Sequence, residues 1–390
     1  MRGLLHAGVA IDVFPIHPLD PALWRYVPDI LNERILPRSR VHHVSPGRIL
    51  PLTRPSSVTR LPRFLKDAVP IGVSAVHYGI RPLAKTVYSF PKAWAAALQY
   101  GGAGYDHILS YWGSYAATYA YLFHGLTNPK IPFSMFLHAG DLYEDQVYLE
   151  EKLRYADNVF VVCEFNRQFI RTHYRSAFEA MSSRIHVYHP SLDLAEFPYD
   201  PDAVRSRRIL GVGRFDKCKG FDDLLRAVAY LGGLGVEAEV DLVGDGDESA
   251  ALKALAGQLG IETRVRFRGW LPFDEVRDAM RRASMLVHPS SELGDAVPTV
   301  IKEASALGTP VIGTIVGGIP ELLDDGRCGI LVPPRDVPSL ANAIRTLLTD
   351  TAARRRYAAA ARAFAVEKFD LWRNGERLAA VLRSTSNRVD

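Results

Sequence analysis

Cysteine is scarce. The 390 residues hold only Cys163, Cys218 and Cys328, far apart and with no CxxC pair. That excludes a disulfide framework and a zinc ribbon, and it fits a reducing compartment. Long apolar runs are missing too. None reaches the ~20 residues a membrane span needs, and the stretch from Tyr111 to Phe123 is short and interrupted by tyrosines. Met1 to Ile16 lacks the long apolar core and small-residue cleavage site of a signal peptide. Internal repeats and low-complexity tracts are absent. What remains is a soluble globular composition, 48% hydrophobic and 23% charged, in a chain longer than one core usually serves, so two domains are expected.

Acids are missing from one region. Between Arg34 and Lys92 there are eleven Lys or Arg and a single acid, Asp67. Leu50, Leu52, Leu61, Phe64 and Leu65 are interleaved with them. Such a run reads either as a solvated basic face or as a surface for anionic lipid or an acidic acceptor. No nucleic-acid-binding motif accompanies it, so nucleic acid is not an expected partner.

The order of elements points to an α/β protein. Leu4 to His6 reads as a helix end stopped by Gly8, and Val9–Ile16 as a strand. Residues 34–66 read as loops and short helices. Strands are predicted at 107–111, 133–137, 158–163 and 185–188. The Pro-containing stretch 197–206 suits an interdomain linker. Then strands at 208–212, 239–243, 265–268, 285–288 and 310–313 alternate with helices at 221–231, 249–259, 273–283 and 299–307. Helices at 339–348, 352–367 and 371–383 end the chain. This alternation implies a parallel sheet covered on both faces.

Two segments carry candidate chemistry. GVGRFDKCKG, Gly211 to Gly220, lies where a strand gives way to a helix, the edge at which open parallel sheets bind ligands. Gly211 and Gly213 allow close backbone approach, and Arg214 and Lys219 place two cations beside a helix start, as a diphosphate requires. The pattern is neither GxGxxG nor GxxxxGK[ST]. The plainer alternative is two surface charges. The second segment runs from Pro289 to Leu323 and contains two acids eight positions apart, Asp295 and Glu303. Val300, Ile301, Ala304 and Leu307 form the apolar stripe of its helix, with Glu303 at the flank. Asp295 is placed to meet a sugar. The backbone N–H groups around Val297, Pro298 and Thr299 lead into a helix start that suits a phosphate. Glu303 can accept two ribose hydroxyls at once. The plainer alternative for Glu303 is a solvated helical glutamate.

The pattern SxxxxDxxPTxxxEAxAxGxPVI, Ser290 to Ile312, together with Arg214, Lys219 and Gly220, resembles family 4 retaining glycosyltransferases. The resemblance is strong over 206–370 and weaker before it. It implies a GT-B fold, two Rossmann-like domains facing across a cleft: an acceptor-side domain at 1–200, to which 371–390 crosses back, and a nucleotide-sugar donor domain at 206–370. It assigns Arg214 and Lys219 to the donor diphosphate, Glu303 to the ribose and Asp295, in place of the family's first Glu, to the donor sugar. FSMFLHAGDLYED resembles the family strand that ends in a histidine near the donor sugar, and carries that role to His138; the plainer alternative is a satisfied core histidine. This segment looks most like bacterial exopolysaccharide members. The resemblance also implies that a strand, a glycine-rich loop and most of a helix, about 30 residues, precede Met1.

The expected reaction is hexose transfer from a nucleotide diphosphate sugar to an acceptor hydroxyl with retention. The expected acceptor is lipid-linked or an oligosaccharide. No DxD-type metal motif stands in a suitable place, GDGD at 244–247 reads as a strand-end turn, and metal independence is expected. The expected location is cytoplasmic, peripheral at the inner face of the plasma membrane. The rival readings are a GT-B nucleotide-sugar epimerase and a non-catalytic nucleotide-sugar-binding protein.

Overall fold

The computed structural model describes residues 1–17, 34–44, 55–144, 146–203, 205–294 and 297–387, with backbone only for 55–58. Asp295, Leu50 and Leu52 lie outside the described residues. The chain forms two compact units. One comprises 1–162, 166–188 and 372–390, and the other 163–165 and 189–371.

The first unit is built on four parallel strands, β1 (Ile108–Ser110), β2 (Phe133–Leu137), β3 (Asn158–Val161) and β4 (Ile185–Val187), in that spatial order. β2 and β3 are buried along their whole length, as near-continuous apolar runs in parallel sheets are. On one face pack the helices Pro55–His77, Ile80–Tyr100 and Tyr115–Leu126. On the other, Leu378, Ala379 and Leu382 of the final helix meet Phe136 and Phe160, together with Leu4 of the helix Arg2–His6. Gly375 permits that packing, since a Cβ there would lie 2.5 Å from the Gly3 backbone.

Two expectations need correction here. Val9–Ile16 is not a strand: only Val13 pairs, in a single parallel bridge to Val41. Pro15 has no donor to extend the ladder, and the partner side is wound into a 3-10 turn at Arg38–Arg40. The stretch expected as loops contains instead the long helix Pro55–His77, which runs through Pro62 and Pro70. Both prolines face solvent, where water takes the carbonyls they leave without donors. Burial of Ala68, Ile71 and Ala75 along the opposite face outweighs the propensity penalty.

The second unit has six parallel strands: β5 (Arg208–Val212), β6 (Glu239–Val243), β7 (Val265–Gly269), β8 (Met285–His288), β9 (Val311–Thr314) and β10 (Ile330–Val332). Their spatial order is β10-β9-β8-β5-β6-β7. β10 and the short helix Ile319–Leu322 went unread in the sequence. The sheet grows outward from β5 through β6 to β7, then returns so that β8 pairs with the opposite edge of β5. The order therefore reverses between β5 and β8.

Arg205 holds two helix ends of this unit. Its guanidinium donates to the carbonyls of Arg281 at 2.8 Å, Leu307 at 3.1 Å and Gly308 at 3.0 Å, and to the Thr309 hydroxyl at 2.8 Å. These carbonyls terminate the helices Phe273–Arg282 and Thr299–Ala306, where a cation is also favoured by the helix dipoles. Arg205→Ala leaves them without donors and is expected to cost ~2–3 kcal/mol, a fall of roughly 5–10 °C in Tm. Arg205→Lys keeps the charge but not the fork and should recover only part of it. Thermal unfolding of the full chain checks both.

Candidate active site

The two candidate segments leave the C-terminal ends of β5 and β8, the neighbouring strands where the order reverses. Ligands bind open α/β sheets at such a point, because the following loops diverge to opposite faces and leave a crevice between them. The loops are stitched together. The Ser291 N–H donates to the Cys218 carbonyl at 2.8 Å. Gly220 has φ +65°, and a Cβ there would lie 2.1 Å from the Pro289 carbonyl oxygen, so only glycine permits the contact.

A third loop clamps the first. GDGD follows β6 as a strand-end turn, and the Phe215 N–H donates to the Asp245 carbonyl at 2.9 Å. Gly244 and Gly246, at φ +138° and +157°, let that turn pass against the Gly213 and Phe215 backbones. Gly213 is half-buried beneath this contact. Arg214 projects outward with its side chain 81% exposed and pairs with Asp216 at 2.9 Å. Lys219 closes the 3-10 turn Lys217–Lys219, and Gly220 caps the helix Phe221–Gly233 that follows.

On the other side of the reversal, Val297 is half-buried and Pro298 stands extended just ahead of the helix Thr299–Ala306, with Thr299 exposed. Ile301 and Ala304 face the core and are fully buried. Glu303 is half-buried at the flank, and burial pushes its carboxyl up to about 7 despite the neighbouring Lys302. Lys302 is itself buried. Its ammonium donates to the Pro190 carbonyl at 2.7 Å, and burial lowers its pKa to about 8. A carboxylate held this far from its ordinary range is kept at a cost in folding, which marks it as a candidate for function rather than packing. Elsewhere in this unit, Glu321 accepts from the His189 ring at 2.6 Å and from the Glu164 N–H at 2.6 Å. Nothing in the sequence pattern linked those three residues.

In the first unit, His138 ends β2 and caps the helix Ala139–Tyr143. Its N–H donates to the Asp141 carboxylate at 2.9 Å, and the same carboxylate takes the Ser114 N–H at 2.8 Å. Burial raises the Asp141 carboxyl, but these hydrogen bonds and the His138 ring outweigh it and hold the group below its ordinary range. The His138 ring lies tilted at 33° against Trp112, with centroids 4.2 Å apart, and leans on Tyr111 at 5.2 Å. Asp141 stands three residues after the cap, where an acid is a capping-box signal.

Residues 201–364 match the family model described as glycosyl transferases group 1. A GDP-mannose-dependent alpha-(1-6)-phosphatidylinositol monomannoside mannosyltransferase of Mycolicibacterium smegmatis is 30% identical over 245 residues, 59% of this chain and 64% of its own. The chain spans less than two thirds of the curated relatives it matches: 64% of that one and between 42% and 49% of seven others. Among solved structures, a glycosyltransferase of Rickettsia africae covers 98% of this chain and 94% of its own, with a TM-score of 0.68 at 17% identity. The HepE protein of Anabaena, solved in complex with UDP, covers 75% and 82%, with a TM-score of 0.64 at 23% identity. These likenesses show the fold, two parallel-sheet α/β domains of the GT-B class.

Proposed function

With residues 201–364 a glycosyl transferases group 1 domain, we propose that this chain is a glycosyltransferase moving a hexose from a nucleotide diphosphate sugar to an acceptor hydroxyl with retention, in bacterial polysaccharide or glycolipid biosynthesis. The observation that carries the proposal is the meeting of the two motifs at the β5–β8 reversal, stitched by Ser291 and Cys218 and by Gly220 against Pro289. In this reading the bond from the anomeric carbon to the diphosphate breaks, the acceptor oxygen takes its place, and a leaving phosphate oxygen receives the acceptor proton. Negative charge grows on the diphosphate. Arg214, Lys219 and the start of the helix Thr299–Ala306 meet it where it develops. No metal is assigned to this role. Glu303 accepts from the ribose, Asp295 contacts the donor sugar, and His138 takes part in turnover from the first unit. Curated relatives that act on nucleotide-sugar donors, such as the mannosyltransferase above, support the substrate class.

The test is thermal unfolding of the chain with UDP, GDP and ADP, and with their sugars. One nucleotide at a hundred times its Kd should stabilise by ~2.7 kcal/mol. A matching nucleotide sugar should then release that nucleotide with an acceptor present. Binding without release would sink the catalytic reading, and no shift with any nucleotide would sink the donor site.

We also propose that the chain works in the cytoplasm, docked on the inner face of the plasma membrane. No described helix is long and apolar enough to cross a bilayer. The two helices after residue 54 instead expose an apolar row at Leu61, Leu65, Val69, Val73, Val76 and Ile80. Arg60, Arg63, Lys66, Arg81 and Lys85 lie among these residues, and Asp67 is the one acid between 55 and 100. Lys92, counted with the basic run, is buried against the Ile16 carbonyl and does not belong to it. Valines inserted at the headgroup level, fringed by cations, suit an anionic bilayer. The chain should float with phosphatidylglycerol vesicles but not with phosphatidylcholine ones, and salt should weaken the binding. Val69→Glu with Val73→Glu should abolish it while Tm stays nearly constant, since both sites face solvent. Flotation of the variant with anionic vesicles would refute the assignment.

A further inference from the structure

Four residues after β1, Tyr111 to Ser114, are held by more buried apparatus than a loop needs. Lys152, fully buried, donates to the Gly113 carbonyl at 3.0 Å and the Ser114 carbonyl at 3.1 Å. Asp141, 1% exposed, accepts the Ser114 N–H at 2.8 Å. The Ser110 hydroxyl donates to the Trp112 carbonyl at 2.8 Å. Gly113 packs so closely on β2 that a Cβ would fall 2.2 Å from the Leu137 Cδ2. Burying a lysine and an aspartate is costly, and apolar residues of similar size often serve stability as well or better. Their joint effect here is to fix the loop.

What the loop presents is two aromatic side chains in solvent. Tyr111 is 57% and Trp112 47% exposed. Their rings stand at 86° with centroids 6.4 Å apart, an L-shaped pair. His138 backs the corner, 4.2 Å from Trp112 and 5.2 Å from Tyr111, and Phe136 supports Tyr111 from below at 5.2 Å. A loop free to move would fold these rings away from water. This one cannot, and it stands at the C-terminal edge of a parallel sheet, where ligands bind.

We infer that Tyr111 and Trp112 form a stacking platform for a pyranose ring of the acceptor glycan. The inference rests on the glycosyltransferase reading and names the part of the acceptor this unit takes. A pyranose offers one face of C–H groups and a rim of hydroxyls. An exposed, rigid indole matches the apolar face with little ordering cost, and a ring at right angles fits the edge. The nucleotide motifs all lie in the second unit, so a ring stacked on Tyr111 and Trp112, beside the His138 assigned to turnover, is the acceptor's. Tyr111 and Trp112 are binding residues in this assignment, with Asp141 and Lys152 positioning them.

The test uses saturation-transfer NMR on the full chain, with the methyl α-glycosides of glucose, mannose, galactose and N-acetylglucosamine as probes, alongside the nucleotide thermal shift. At least one glycoside should receive saturation, strongest on the C–H protons of one ring face. Trp112→Ala should reduce it roughly fivefold or more, as loss of a stacked aromatic face does. Trp112→Phe should retain most of it, and the nucleotide shift should persist in both, which also reports that they fold. A nucleotide shift in the wild type with no glycoside saturation, or with saturation unchanged in Trp112→Ala and Tyr111→Ala, overturns the platform. Glycoside saturation lost in Trp112→Ala, in a chain that no nucleotide stabilises, keeps a sugar-binding platform and overturns the transferase reading instead.

Discussion

Replacing Arg214 and Lys219 together by alanine is expected to lower kcat by about 10³ and leave Tm almost unchanged. Arg214 projects into solvent and pairs with the half-buried Asp216, and surface pairs of that kind contribute ~0–1 kcal/mol to folding. Their value in the reaction is different in kind. The diphosphate of the bound donor is already a dianion, and one further negative charge gathers on the departing oxygen as the glycosidic bond opens, so cations aimed at that place act on the transition state more than on the bound donor. The fall should therefore appear mostly in kcat, with a smaller rise in KM for the donor. Nucleotide release by purified wild type and variant, with unfolding curves for both, makes the comparison. A variant that keeps full kcat would remove these residues from the chemistry.

Glu303→Gln should raise stability. Burial raises the Glu303 carboxyl from an ordinary 4.5 to about 7 in the folded chain. Between those values the native state holds a proton that the unfolded chain has released, so this residue's contribution weakens as pH rises through that window. At pH 8 the carboxylate is charged, half-buried and a burden. An amide of the same shape removes the burden, and the free protein should gain on the order of 1 kcal/mol, or ~2–4 °C in Tm. Nucleotide binding should suffer. A carboxylate accepts two ribose hydroxyls, an amide only one, and a hydrogen bond to a charged group is worth ~1.5–3 kcal/mol, roughly 10- to 150-fold in Kd. In the wild type, nucleotide affinity should also fall as pH drops from 8 to 6 and Glu303 takes up its proton, and that dependence should flatten in Glu303→Gln. A variant less stable than wild type, yet binding nucleotide equally well, would make Glu303 a packing residue.

A gain in stability paired with a loss of binding distinguishes a functional carboxylate from a structural one. Lys302, beside it, should behave differently. Its ammonium is bonded to the half-buried Pro190 carbonyl, so truncation would leave that carbonyl without its donor.

β5, β6 and β8 of the second unit were legible because they are buried on both faces along nearly their whole length. A continuous apolar run bounded by glycine or a polar turn has few other readings, and β5, β6 and β8 lie where the pattern put them. The histidine at the end of β2 and the strand-to-helix position of GVGRFDKCKG were legible for the same reason. The first unit was harder. The proline- and arginine-rich composition of 34–66 argued against a helix that its buried face nevertheless stabilises. The run Val9–Ile16 carried a strand pattern with no ladder to join.

By itself, then, the order of residues determined most elements of the second unit, though not β10 or the helix Ile319–Leu322, together with the two motifs and the chemistry those residue types can perform, because periodicity, glycine and charge act over a few neighbouring positions. Tertiary structure decided what depends on residues distant in the chain. It returned β8 to the side of β5, so that segments some seventy residues apart share one crevice. It set Gly220 against Pro289, gave Arg205 two helix ends to hold, and buried Glu303 far enough to shift its proton. Strand order and burial arise from packing against partners that no local pattern names, and a pKa follows the surroundings of a group rather than its neighbours in sequence.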